Sequence, residues 1–274
     1  MSRKRILIVT DLHYCHENYG GIDSGEKIEL LVNQINDEYS RDPFEFILFL
    51  GDYSLDHWAW NVKGSWLVHG KSYTAEMTER YFGDLPTPYY MLAGNHEQYG
   101  NEMWKKLTGC EREAVAELDD SLFILWDSFG GDLDPTEHSD GTYTAPSVEK
   151  IRAIMDNHPN KRVFLCSHWF APNGTEEEKE LIRDKRIVCL FVGHSHRSSI
   201  VTLPEEYGKK QMIQCGAWAS VSTDDTFRWG VRDLVLNGES SVSSYIVPYH
   251  EITIDGNTVK VEAVTKDVCK FNCF

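Results

Sequence analysis

No stretch of this 274-residue sequence approaches the roughly 20 consecutive apolar residues that span a bilayer, so a helical membrane protein is excluded. The N-terminus runs from Met1-Ser2-Arg3-Lys4-Arg5 straight into Ile6 to Val9, shorter than the 7 to 15 apolar residues of a secretory signal core. Basic charge is scarce, with 27 Lys and Arg against 43 Asp and Glu, a net charge of −16 and a sequence pI of about 5.1. Such a field repels polyanions and argues against duplex nucleic acid as a partner, while a small phosphorylated molecule can still be drawn in by bound cations. Internal repeats, low-complexity tracts and long Pro/Gly/Ser linkers are missing, and the expectation is one domain over residues 1–274. The seven cysteines (15, 110, 166, 189, 215, 269 and 273) are odd in number and mostly lie in apolar runs. Free thiols in a reducing cytoplasm are therefore expected, and Cys269 with Cys273 lacks the second Cys/His pair of a zinc site.

What the sequence does contain is a recurring pattern, an apolar strand-like run that ends in polar residues able to bind metal. Ile6 to Thr10 leads into Asp11-Leu12-His13, Phe46 to Leu50 into Gly51-Asp52, and Tyr89 to Ala93 into Gly94-Asn95-His96-Glu97. Val163 to Cys166 leads into Ser167-His168, and Ile187 to Val192 into Gly193-His194-Ser195-His196. Continuous apolar runs suit strands covered on both faces. Between them lie helical faces at Ile28, Leu31, Val32, Ile35 and Tyr39, at Val148, Ile151, Ile154 and Met155, and around Leu181 and Ile182. Strands alternating with helices predict a layered α/β fold whose ligands bind beyond the carboxyl ends of the strands, where all five motifs fall. From about residue 198 the runs become short and β-rich, with Asn237-Gly238 and Asp255-Gly256 as hairpin turns. They predict a second, largely antiparallel sheet packed on the first as a sandwich.

Asp-x-His arises by chance about once in a chain of this composition, whereas Gly-Asn-His-Glu arises in about one chain in several hundred. The weight lies in the ordered set. Imidazole with carboxylate favours Mn, Fe, Zn or Co, and the lack of Cys in every motif argues against a structural zinc site. Asp11 and His13 are two apart, so extended backbone would turn them to one side, toward one ion. Four His, two Asp and one Asn are too many ligands for one ion with an open position, and suit two ions bridged by a carboxylate, for which Asp52 is the natural choice.

This set resembles the calcineurin-like metallophosphoesterases, in motif order from residue 5 to about 250. The resemblance implies a four-layer αββα sandwich of two mixed β-sheets flanked by helices. It implies one metal held by Asp11, His13, Asp52 and His196, a second by Asp52, Asn95, His168 and His194, and a metal-bridging hydroxide that attacks phosphorus. His96 would face the scissile phosphate, stabilising charge or acting as general acid. Position 55 is Leu, where the protein phosphatases of this superfamily carry an Asp that orients the histidine and the purple acid phosphatases a Tyr; both readings are disfavoured, and a colourless, redox-indifferent centre is expected. The pattern looks most like the bacterial phosphodiesterase branch, which predicts a phosphodiesterase on a small molecule such as a nucleotide. Phosphomonoesterase and pyrophosphohydrolase activities are the alternatives; a nuclease, or a non-catalytic scaffold like the retromer subunit of this fold, ranks below them.

Outside the shell, His16, Trp58 and Arg197 are the candidate substrate contacts. Trp58, Trp60 and Trp66 sit in an aromatic-rich insertion at about 53–72, read either as a lid or as packing. Gly131 to Asp134 lacks the spacing of a calcium loop, and Glu176 to Glu180 reads as an acidic helix start.

Overall fold

The computed structural model describes residues 4–16, 18–19, 22–58, 71–131, 133, 141–218, 232–237, 241–246, 252–254, 257–259 and 269–272. At 18, 19, 22 and 198, and from 232 onward, the description is of backbone alone. Trp60, Trp66, His69, Asp132, Asp134 and Cys273 lie outside the described residues, as does the side chain of Cys269.

Strand β1 (Lys4–Val9) leads through a short hairpin, β2 (Asn18–Tyr19) and β3 (Ile22–Asp23), to helix α1 (Ser24–Arg41) and strand β4 (Phe46–Phe49). Helix α2 (Tyr73–Tyr81), strand β5 (Tyr89–Met91), helix α3 (Asn101–Thr108) and the hairpin β6 (Ala114–Leu118) and β7 (Ser121–Leu125) follow. Then come α4 (Val148–Asn157), β8 (Arg162–Ser167), α5 (Glu176–Arg183), β9 (Ile187–Val192), β10 (Ser198–Thr202) and β11 (Gln211–Cys215). Short strands close the described chain: β12 (Arg232–Asn237), β13 (Ser241–Ile246), the hairpin β14 (Ile252–Ile254) and β15 (Asn257–Val259), and β16 (Cys269–Asn272).

Polar residues start the helices where the spacing places them. Asp23 accepts from the Glu26 N–H at 3.0 Å, Ser72 from Ala75 at 3.1 Å and Thr175 from Glu178 at 3.3 Å, each satisfying a donor the helix cannot. The period-2 alternation of the strands sorts side chains into three cores. Ile6 and Ile8 of β1, Leu48 of β4 and Phe164 and Cys166 of β8 meet between the sheets. Leu7, Val9, Ile47 and Phe49 point the other way, onto Ile28, Leu31 and Ile35 of α1. Val163, Leu165 and Leu190 do likewise onto Ile151 and Met155 of α4 and Leu181 and Ile182 of α5. Each fully buried Leu or Ile contributes about 1.5–3 kcal/mol. The four-layer αββα sandwich follows from these faces.

The sequence reading needs one correction. Apart from the β14–β15 hairpin, the described strands after 198 do not make a sheet of their own. One six-stranded sheet runs β16-β13-β12-β1-β4-β5 and the other β10-β11-β9-β8-β7-β6. The late strands join both, β12 antiparallel to β1 and β11 parallel to β9. The five motif strands are likewise divided, with β1, β4 and β5 in one sheet and β8 and β9 in the other. Hydrophobic runs show that a strand is covered on both faces but carry nothing about its hydrogen-bonded edges, and the late strands pair with open edges of the parallel sets.

Candidate metal centre

The carboxyl ends of the five motif strands meet where the two sheets share an edge. Each motif leaves its strand through a tight loop, and at Asp11, His13, Asp52, His194 and His196 φ is positive, between 50° and 62°. The expected extended geometry of Asp11 and His13 is thus replaced by left-handed backbone, which Asp and His tolerate better than bulkier residues. They nevertheless face one another, with Asp11 Oδ1 3.7 Å from His13 Nε2. The first two loops lock together, Asp11 N–H donating to the Gly51 carbonyl at 3.0 Å and Leu12 and His13 to that of Asp52 at 2.7 and 3.0 Å. The third loop packs onto them so closely that a Cβ on Gly94 would overlap the Asp52 carboxylate and backbone nitrogen.

Asp52 Oδ2 occupies the middle of the cluster, 3.1 Å from His168 Nε2, 3.5 Å from His96 Nε2 and 3.7 Å from His13 Nε2. To one side lie Asp11, His13 and His196, to the other Asp52, His168 and His194, and in each group the candidate ligand atoms are within 4.8 Å of one another. Asn95 Oδ1 joins the second, 3.0 Å from His168 Nε2 and 2.9 Å from His194 Nδ1. All seven metal candidates from the sequence are therefore brought together.

Donor chemistry shows that the cluster suits cations. Asp11 Oδ2 is occupied by the Thr10 hydroxyl at 2.6 Å and the His194 N–H at 3.0 Å, while the buried Oδ1 takes no hydrogen bond and faces His196 Nε2 at 3.2 Å. His168 Nδ1 lies 2.7 Å from the Leu50 carbonyl, which can only accept, so the ring donates there. In its neutral form Nε2 is then a bare lone pair facing the oxygens of Asp52 and Asn95, an arrangement that a cation between them relieves. His13 and His196 likewise bring two Nε2 atoms within 3.1 Å.

Burial works against both carboxylates, but the surrounding imidazoles hold Asp11 and Asp52 well below the usual carboxylate range. Burial would also lower His168, yet the Asp52 carboxylate at its Nε2 carries it up to about 9. His196 is raised by Asp11 against its own burial, whereas burial lowers His13 and His194. His96, 5 % exposed, is pushed down to about 3 by burial despite the pull of Asp52.

The sequence reading gave Glu97 no role, yet it ties the second and third motif loops together. Its Oε2 accepts from the N–H groups of Asp52 and Gly94 at 3.0 and 2.9 Å, and its Oε1 from those of Tyr53 and Ser54 at 2.9 and 3.1 Å. Burial and the Asp52 charge push its pKa up to about 8, but with donors on both oxygens a carboxyl proton has no acceptor to meet, and the hydrogen bonds favour the anion. Arg112 secures the same loop, donating to the Glu97 and Tyr99 carbonyls at 2.7 and 2.8 Å and to Asp127 Oδ2 at 2.5 Å.

An open cleft of about 620 Å³ lies over the cluster, lined by His96 and by four aromatic rings, Trp58, Phe129, Tyr143 and Trp169. Of the candidate substrate contacts, Trp58 is on this wall, its ring edge-on to His96 with centroids 6.2 Å apart. His16 is not; both Glu76 oxygens hold its Nε2 at 2.8 Å and its ring lies on Tyr73, centroids 4.4 Å apart. Arg197 is exposed and is not part of the described lining. Phe129, Tyr143 and Trp169 were missed by the sequence reading, although Trp169 directly follows a candidate ligand.

A two-sheet sandwich with carboxylates and imidazoles converging at the shared edge has the layout of a metal-dependent hydrolase. The chain belongs to the calcineurin-like phosphoesterase family, whose model matches residues 4–198. It is a phosphoester hydrolase of that family. Among solved structures, a dimetal phosphatase from Danio rerio is 12% identical, with a TM-score of 0.68 and 99% of both chains covered. The anchor in the inner membrane complex of Plasmodium is 13% identical, with a TM-score of 0.55 over 97% of this chain and 90% of that one. A purple acid phosphatase from yellow lupin (Lupinus luteus) seeds is 12% identical, with a TM-score of 0.53 over 94% of this chain and 53% of its own. At such identities the likeness is one of fold. No curated protein matches the sequence.

Proposed function

We propose that the chain hydrolyses phosphodiesters of small molecules, nucleotides among them, with two divalent ions held by Asp11, His13, Asp52 and His196 and by Asp52, Asn95, His168 and His194. The observation that carries the reading is the position of Asp52 Oδ2, within 3.1 to 3.7 Å of imidazoles from both ligand groups, where a bridging carboxylate belongs. Mn, Fe, Zn and Co suit these donors. When bound, the ions supply Lewis acidity that activates water and offsets phosphoryl charge.

The chain's own residues do the rest. Glu97 and Arg112 fix the loops, so the ligands need little reordering. His96, kept neutral by its burial, faces the cleft beside Asp52, and its ring N–H donates a hydrogen bond to the oxygen that leaves as its bond to phosphorus breaks and one to water oxygen forms. Leu55, fully buried, stands where a purple phosphatase would place a Tyr, which supports a redox-indifferent site. Five free cysteines among the described residues support a reducing compartment such as the cytoplasm.

The test is turnover of bis-p-nitrophenyl phosphate against p-nitrophenyl phosphate with Mn, Fe, Zn and Co. Faster diester turnover is expected; a consistent preference for the monoester would replace this reading with a phosphatase. His96→Asn should slow esters with poor leaving groups more than p-nitrophenyl esters, because only the former need help at the departing oxygen. An equal loss on both would remove the role of His96 at the departing oxygen.

A further inference from the structure

The rings that wall the cleft are held in different ways. Phe129, 5 % exposed, covers the ligands from the side, its centroid 5.7 Å from those of His168 and His194. Trp169 is only half-buried, and its indole lies 5.1 Å from the His194 ring. Its backbone is fixed on both sides, the N–H donating to Ser128 Oγ at 3.0 Å and the carbonyl accepting from Ser167 Oγ at 2.7 Å. The half-buried Tyr143 is tied to the same loop through its hydroxyl, which accepts from the Ala171 N–H at 3.3 Å. The next residue, Phe170, is 0 % exposed and packs on Trp126 and Tyr207. The core takes one of these adjacent rings and the cleft the other.

A partly wetted indole on a fixed backbone, beside a candidate metal ligand, is apolar surface that a ligand ring can cover. We propose that the cleft selects phosphoesters bearing a flat, uncharged ring, an aryl group or a nucleobase, which stacks on Trp169 on the His194 side. This rests on the hydrolase reading and names the substrate class for the same site. Trp58, at the His96 end, adjoins the departing group, so the ring on Trp169 belongs to the group that stays on phosphorus.

Phenylphosphonate and methylphosphonate test this without turnover, because their carbon–phosphorus bonds are not hydrolysed and they differ only in the ring. Calorimetric titration of the Mn-loaded protein should show phenylphosphonate binding about tenfold tighter, within the range one stacked ring gives. Trp169→Ala should bring that ratio to within about twofold, and Trp169→Phe should keep most of it. Equal binding of the two probes by the wild type overturns the ring preference, while metal-dependent turnover of bis-p-nitrophenyl phosphate leaves the hydrolase reading intact. Equal weakening of both probes in Trp169→Ala, with the ratio kept, assigns the indole a structural role and also overturns it. Absence of metal-dependent turnover on every ester removes the hydrolase reading and the inference with it.

Discussion

The two sheets contribute unequal halves of the centre. The first supplies both carboxylates, fully buried or nearly so, the Asp52 loop clamped by Glu97 and the Asp11 loop bonded to it through the Gly51 and Asp52 carbonyls. The second supplies three imidazoles, of which His194 and His196 are half-buried. The His194 N–H donates to Asp11, and the imidazoles reach the first half at the Leu50 carbonyl, the Asn95 oxygen, the Asp11 and Asp52 carboxylates and His13. Desolvating a carboxylate costs several kcal/mol unless its partners are fixed, whereas a neutral imidazole is far cheaper to bury. The carboxylates accordingly sit deep in the centre, and two of the three imidazoles of the second sheet, His194 and His196, sit toward the opening.

Four substitutions probe this contrast. Asp52→Ala removes the carboxylate common to both ligand groups and should reduce metal-dependent turnover to background with a loss of bound metal, read by elemental analysis. Glu97→Gln keeps the shape but replaces two acceptor positions with an amide that meets N–H donors. Metal affinity should fall roughly 10–100-fold, and a metal titration of activity shows whether the rigid half owes its strength to this clamp. Arg112→Met leaves Asp127 buried without its partner at a cost of about 3 kcal/mol. The melting temperature of metal-free protein should drop by roughly 6–12 °C. The smallest effect is expected on the stability of the open half. His196→Gly relieves a left-handed residue and should leave the metal-free melting temperature within about 2 °C of wild type while turnover falls. A large destabilisation there would erase the proposed difference between the halves.

The clustering of the seven candidate residues could be read from the sequence because each follows an apolar run, and a strand end fixes where its next residues emerge. The ligand count pointed to a shared carboxylate, and Asp52 is the one whose Oδ2 lies amid His168, His96 and His13. The division of motif strands between two sheets could not be read, since Ile6 to Val9 and Val163 to Cys166 are equally apolar on both faces and their edges carry no pattern. Glu97 was visible only as the last letter of its motif; its four N–H donors belong to backbone and leave no trace in side-chain identity. His16 looked free next to the first motif because its partner Glu76 is 60 residues away. Trp58 stands out in an aromatic-rich run of sequence, whereas Trp169 and Tyr143 reach the cleft from loops of the other half.

The reach of the His194 N–H to Asp11, across 183 positions, also sets an order in time. At a synthesis rate of about 5–20 residues per second, the first motif leaves the ribosome on the order of 10–40 s before the fifth. Until then the carboxylates of Asp11 and Asp52 lack three of their imidazole neighbours, and the pocket that unites them has only one wall. On the proposed ligand set, ion capture would be a closing event in the birth of this molecule, and a loaded centre would certify that both sheets have been made and have docked.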